Sequence, residues 1–161
     1  MQTIMHTING PFEEIHPTQP TMHVYIRYLP GSPLLESHEY GDWIDLYTYE
    51  DVTLMPDDFK LINLGVAMKL PEGYEANIVP RSSTFKRYGL IQTNHYAVID
   101  NSFCGNGDIW HLPVLATRAV TIPKGTRLCQ FRINRKQPNI IFHEVSDLGG
   151  KDRGGFGSTG E

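Results

Sequence analysis

The chain has 161 residues, with 40% hydrophobic and 20% charged residues, which suits one globular domain with a real core and excludes a disordered chain. A formal net charge of −4 argues against a nucleic-acid binder held by a broad basic surface, though a local basic cluster for an anionic small molecule remains open. The only two cysteines are Cys104 and Cys129, so no disulfide framework is expected, and the chain reads as a cytoplasmic protein of a reducing compartment. No signal peptide is expected at the N-terminus, which lacks a basic region followed by an apolar run, and no apolar stretch is long enough to span a bilayer.

Residues 1–20 carry Pro11, Pro17 and Pro20 without a clean hydrophobic period, and read as an N-terminal arm. The body, residues 21–147, is a succession of short strand candidates: His23 to Tyr28, Ile44 to Tyr49, Leu61 to Leu70, Tyr74 to Val79, Ile109 to Ala116, Val120 to Ile122, Arg127 to Ile133 and Ile140 to Val145. Pro56-Asp57, Pro71-Glu72-Gly73 and Pro123-Lys124-Gly125 punctuate them, because Pro presets φ and Gly accepts positive φ. Pro113 inside a strand candidate predicts an edge strand or a bulge. The single helical candidate is a turn or two around Ser82 to Tyr88. Many short strands with regular turns predict an all-β sandwich or barrel. From Leu148 the composition turns glycine-rich, so residues 148–161 read as a C-terminal arm that does not fold alone.

Five stretches carry candidate chemistry. In Gly41-Asp42-Trp43-Ile44-Asp45-Leu46, Asp45 lies between apolar neighbours; taken alone it reads as a solvent-facing strand residue, and functionally as a carboxylate acting on a hydrated Mg²⁺ through water. In Pro80-Arg81-Ser82-Ser83-Thr84, hydroxyls and a guanidinium follow a strand end. That pattern serves equally as a helix cap with a solvated basic face or as a phosphate site of free backbone N–H groups, Ser82, Ser83 and Arg81. In Gln92 to Gly105 an apolar run, Tyr96-Ala97-Val98-Ile99, ends at Asp100, then Asn101-Ser102 and Phe103. An Asp at a strand end is an ordinary turn former, and is also where a rigidly held general base would sit. In Gly125-Thr126-Arg127-Leu128-Cys129-Gln130-Phe131, Gln130 is polar within an apolar strand, which alternation allows as an outward position, and Cys129 reads as a small core residue. In the tail, Arg153, Ser158, Thr159 and several glycines suit a polyphosphate and Phe156 suits stacking on a base, against the plain reading of a disordered end. The seven histidines lack metal-ligand spacing; His95 reads as a surface turn residue or the lining of a pocket.

In this order the clusters resemble the five motifs of the homotrimeric dUTP pyrophosphatases, the dUTPases. The likeness rests on Pro-Arg-Ser-Ser, Thr-Asn with Val-Ile-Asp downstream, Gly-x-Arg-Leu-x-Gln and a terminal Gly-Phe-Gly-Ser-Thr-Gly, covers the chain from about Gly41 to Gly160, and looks most like Gram-positive bacterial and phage members. The resemblance implies a β jelly roll, hydrolysis of dUTP to dUMP and pyrophosphate, Mg²⁺, and a homotrimer with three active sites at subunit interfaces. It implies Asp100 as general base for the attacking water, and Asn94 with the Gln92–Ile99 hairpin (Ala97, Val98 and Ile99 included) as the reader of uracil. Phe103 would lie under the deoxyribose, Arg81, Ser82 and Ser83 on the phosphates, Gln130 on phosphate or water, and Asp45 on the Mg²⁺ waters. Arg153, Phe156, Ser158 and Thr159 would close over the nucleotide from another subunit's tail. Three departures stand out: Ala97 where the family usually has Gly, Phe103 in place of a tyrosine, and a tail shorter than the common Arg-Gly-x-Gly-Gly-Phe-Gly. The related dCTP deaminases need a glutamate after the third motif, and Asp108 to Pro113 contains none. A regulatory protein partner, met by the N-terminal arm, is the expectation if the chain is phage-encoded.

Overall fold

The computed structural model describes residues 21–36, 41–152 and 154. The expected N-terminal arm and the tail residues Arg153, Phe156, Ser158 and Thr159 lie outside the described residues.

The all-β expectation holds for the described residues. Eleven strands and one short helix follow in order: β1 (Tyr25–Tyr28), β2 (Ile44–Tyr47), β3 (Val52–Leu54), β4 (Phe59–Asn63), β5 (Val66–Lys69), β6 (Tyr74–Pro80), α1 (Thr84–Tyr88), β7 (Leu90–Gln92), β8 (Ala97–Ile99), β9 (His111–Ala116), β10 (Val120–Ile122) and β11 (Arg127–Arg135). All pairings are antiparallel: β2-β11-β6-β8 form one sheet and β4-β9-β7 a second, while β1-β5 and β10-β3 are two-stranded. The core lies between their inner faces. It includes Leu46, Ile62, Ile78, Leu112, Val114, Leu128 and Trp110, all fully buried, with Trp110 edge-on to Phe131 at a centroid distance of 5.2 Å. Alternation produces this directly: β9 reads half-buried and buried in turn, so Leu112, Val114 and Ala116 all face inward.

Three expectations are corrected. The single strand from Leu61 to Leu70 is two, because Gly65 adopts φ +70 and Asn63 Oδ1 accepts from its N–H, which turns the chain between β4 and β5. Ile140 to Val145 forms no strand; Ile141 and Phe142 are 78% and 91% exposed, since a strand needs a ladder partner and this segment has none among the described residues. Pro113 lies in β9, the middle strand of its sheet, without a bulge in its register with β4. Its carbonyl accepts from Thr93 N–H just beyond the end of β7, so the missing proline N–H faces the side where the ladder has already ended. Two stretches that alternation left unassigned, Val52–Leu54 and Leu90–Gln92, also form strands, each only three residues long.

Candidate active site

The longest inner pair, β6 with β11, carries the site. Its register places Gln130 between Asp45 on β2 and Val79 on β6, so the three side chains share one face of the sheet. Asp45 is buried, not solvent-facing as its isolated pattern suggests. Its Oδ1 meets Arg81 Nε at 2.9 Å and its Oδ2 meets Arg127 Nη1 at 3.4 Å. A buried carboxylate needs such partners, since its desolvation otherwise costs several kcal/mol. The two guanidiniums remain part-exposed, so positive charge faces outward from an anchored base. Cys129, beside Gln130, is fully buried; burial and the Asp45 charge push its thiol pKa far up, which keeps it a neutral core residue.

Beyond Pro80 the chain turns into α1. Thr84 Oγ1 donates to Leu128 O at 2.6 Å and Thr84 N–H to Arg81 O, so the first turn is tied to β11. Ser83 is the N-cap without a side-chain cap bond, and Gly89 closes the helix at φ +66. Five residues give too short a helix for a useful dipole, so an anion here would rest on Arg81, exposed Ser82, half-buried Ser83 and their backbone. Pro80, Arg81, Ser82, Phe85, Leu90, Ile91, Gln92 and His95 line a pocket of about 540 Å³.

The connection from Gln92 to Ala97 differs from the expected hairpin. β7 pairs with β9, and β8 with β6, so the segment crosses between sheets. It is held by Thr93 N–H to Pro113 O at 3.1 Å, His95 N–H to Gln92 O at 3.4 Å and Tyr96 N–H to Asn94 O, with His95 at φ +53. Gln92, buried, donates from Nε2 to Ile78 O at 3.0 Å and to Asn94 Oδ1 at 2.9 Å. Asn94 and Val98 are exposed, Ile99 is half-buried, and Ala97 turns into the core, so any ligand contact by Ala97 is made by its backbone.

Asp100 follows β8 and is exposed. Ser102 donates to its Oδ1 from the hydroxyl and from the backbone N–H, the latter at 2.7 Å, and Phe103 N–H donates to Asp100 O. The Ser102 hydroxyl first, then the Ser102 N–H, hold the Asp100 carboxyl below its ordinary 3.8. It is therefore an ionised, oriented carboxylate at neutral pH. Phe103 beside it is exposed. Asn101 accepts from Lys136 Nζ, whose backbone N–H bonds Gly73 O, which fixes this turn at the start of β6.

The pairing sets how far apart these groups lie. Ile99 faces Ala76, so Asp100 sits at the N-terminal end of β6, whereas Arg81 follows its C-terminal end. Six residues of strand separate the two positions by about 20 Å. One chain thus brings together Asp45, Arg81, Ser82, Ser83 and Gln130 at the C-terminal end of β6, with Asn94, ahead of the Ala97–Ile78 pair, toward that same end; Val98 lies midway, and Ile99, Asp100 and Phe103 lie toward the other end. Three side chains receive no role from the sequence alone: Arg127, inside the Gly-x-Arg-Leu-x-Gln stretch, pairs with Asp45; Ser102, two residues after an Asp as in an Asx turn, bonds Asp100; and Gln92, at the start of its segment, bonds Asn94.

The sequence pattern of the dUTPase family matches residues 43–160. The chain belongs to the dUTPase family. It is 54% identical over 140 residues, 86% of this chain and 99% of the relative, to the SPbeta prophage-derived deoxyuridine 5'-triphosphate nucleotidohydrolase of Bacillus subtilis strain 168. It is 36% identical over 151 residues to the deoxyuridine 5'-triphosphate nucleotidohydrolase of Thermobifida fusca strain YX, covering 91% of this chain and 84% of that protein. Among solved structures, a mutant dUTPase of Staphylococcus bacteriophage 80alpha with dUpNHpp superposes with a TM-score of 0.71 at 19% identity, over 87% of this chain and 99% of that one. A mutant dUTPase of phage phi11 of S. aureus, described with a structural Mg(II) ion, gives 0.65 at 18% identity, over 78% of this chain and 98% of that one. These last two share the fold, the jelly roll of the family. The enzyme hydrolyses dUTP to dUMP and pyrophosphate. No helix among the described residues is long and apolar enough to cross a membrane.

Proposed function

We propose that dUTP is hydrolysed at sites shared between copies of this chain in a homotrimer, with Asp100 of one copy and the Arg81 cluster of another on the same nucleotide. The observation that carries this is the separation of Asp100 and Arg81 at opposite ends of β6. A base that activates water at the α-phosphorus and a guanidinium on the same triphosphate work within a few ångströms, and about 20 Å of strand lies between them. The apolar segment with exposed Ile140, Ile141 and Phe142 supports the same reading, because such a surface calls for cover by a second copy.

Within the shared site each group has one task. Asn94, with backbone of the Ala97–Ile99 strand, reads uracil; Phe103 lies flat under the deoxyribose, where a ribose 2′-OH would meet its ring. Arg81, Ser82 and Ser83 hold the phosphates, with Gln130 on phosphate or water. Asp100 takes a proton from water as the water oxygen bonds the α-phosphorus in line; the bond from that phosphorus to the bridging oxygen breaks and pyrophosphate leaves. Arg153, Phe156, Ser158 and Thr159 of the C-terminal arm close over the nucleotide and exclude other water. Positioning and charge neutralisation supply most of the rate in such a transfer.

Mg²⁺ fits this donor set as an ion carried by the triphosphate. Among the described residues no group of three or more His, Cys, Asp or Glu side chains could cage a metal, and the carboxylate against Arg81 is Asp45. A hydrated Mg²⁺ held by phosphate oxygens and few protein groups is its usual state, and it would neutralise phosphate charge, with Asp45 toward its waters.

Complementation tests the shared site. Asp100→Asn and Arg81→Ala proteins, each inactive alone, should recover dUTP hydrolysis when unfolded together and reassembled, because some sites then receive both intact halves. Mixtures as inactive as the parents would overturn the shared site. A regulatory protein partner is a second reading, favoured by the phage 80alpha dUTPase, whose structural study describes phage dUTPases as controlling transfer of virulence genes; a pull-down from host extract beside a turnover assay tests it.

A further inference from the structure

We propose that Gln92 is a positioning residue for base selection: it fixes which end of the Asn94 amide is turned toward the nucleotide. This rests on the assignment of Asn94 as the reader of the base. The orientation follows from one backbone carbonyl. Ile78 O can only accept, so the end of the Gln92 amide that faces it must be the NH₂ group, and Nε2 lies 3.0 Å away. The same Nε2 lies 2.9 Å from Asn94 Oδ1. Asn94 must therefore offer its oxygen inward, and its two N–H donors are turned outward. Rotating the Gln92 amide would set its oxygen against Ile78 O and lose both bonds. The present arrangement is kept although Gln92 Oε1 is buried with no hydrogen-bond partner among the described residues. The backbone around Asn94 is already pinned by Thr93 N–H on Pro113 O and by the turn at His95, so the amide flip is the freedom that Gln92 removes.

The chemistry then selects the base. Outward N–H donors complement a carbonyl of uracil. In cytosine the carbonyl at the four-position is replaced by an amino group, and donor would face donor. An Asn94 free to flip would present its oxygen as readily as its nitrogen and would accept that amino group. Gln92 also ties β7 to β6 across the two sheets, so the orientation is set from the buried side, away from the ligand.

The test is the ratio of kcat/KM for dUTP to that for dCTP in the assembled full-length enzyme. Gln92→Met, close to Gln in length and without donors, should lower this ratio by about tenfold. The change should appear in KM for dUTP more than in kcat, and should vanish in an Asn94→Ala background, where there is no amide to orient. A purely structural role would lower Tm and penalise both substrates alike, leaving the ratio unchanged. If Asn94→Ala itself keeps the unaltered ratio, the base-reading assignment falls and takes this proposal with it. If Asn94→Ala lowers the ratio while Gln92→Met and Gln92→Leu keep it, or if the penalties of the two sites simply add, the role of Gln92 alone is overturned. A readout on the unaltered protein keeps the proposal open to refutation even where both variants fail to fold: the Gln92 side-chain amide protons should exchange with solvent far more slowly than those of exposed Asn and Gln, and rapid exchange would overturn it.

Discussion

Asp45 Oδ1 lies 2.9 Å from Arg81 Nε, so a buried carboxylate on β2 anchors the guanidinium that emerges after β6. The pair explains how one arginine at a chain turn is held still, as the proposed phosphate contact requires. Part of its charge is neutralised on the inner side, while the rest of the planar fork stays available to an anion. Arg127 steadies the same carboxylate from β11.

Asp45→Asn keeps the shape and removes the charge. Arg81 should lose its anchor, and KM for dUTP should rise by about tenfold. Stability should fall by about 2 kcal/mol, less than for a fully buried pair because both guanidiniums are part-exposed, and Tm by about 5 °C. Steady-state kinetics and thermal unfolding of the same preparation check both. A variant with unchanged KM would remove Arg81 positioning from the role of Asp45.

Asp100→Asn preserves the turn, since the amide oxygen still accepts from Ser102, but it is a far weaker base. Turnover should fall by on the order of 10³ while a non-hydrolysable dUTP analogue still binds. Pyrophosphate release and calorimetric titration separate the two effects. Near-normal hydrolysis would sink the assignment of the base.

Ser102 biases Asp100 further toward its carboxylate form. Its hydroxyl and N–H favour the carboxylate and hold the pKa below 3.8. The sign is that of a depressed acid: the ionised, stabilised form is fully present above 3.8 and is lost as pH falls through the lowered value. Ser102→Ala removes the larger cause, so the Asp100 carboxyl should titrate at higher pH, nearer its ordinary value. Carboxyl-carbon NMR across an acid titration reads this directly, and an unmoved titration would show that the hydroxyl is not the cause.

The C-terminal arm is tested by deleting Lys151–Glu161. The described residues from Ile140 to Asp152 are exposed and join no strand, so the body should keep its Tm. If the arm closes the site, kcat should fall by on the order of 10² through lost positioning and admitted water. An unchanged kcat would reduce the arm to a linker.

Local pattern was enough for much of this. The all-β class follows from period-two alternation in segments such as Leu112 to Ala116, and the turns from Pro123-Lys124-Gly125, where Gly125 adopts φ +78. The motif residues Arg81, Asn94, Asp100 and Gln130 are likewise legible, because residue type and order are properties of the chain. What the chain by itself could not decide is pairing. Asp45 reads locally as a solvent-facing residue and becomes buried only because β11 and the end of β6 close over it. Leu61 to Leu70 reads as one apolar run, and its division depends on Gly65 taking a left-handed turn between two sheets. Ile140 to Val145 carries a strand's apolar residues without a strand's partner among the described residues. Alternation reports which side of a strand is apolar, whereas register and partner are set by contacts between residues distant in sequence. That is also why the sequence determines the candidate groups, and only the tertiary structure separates Asp100 from Arg81 along β6.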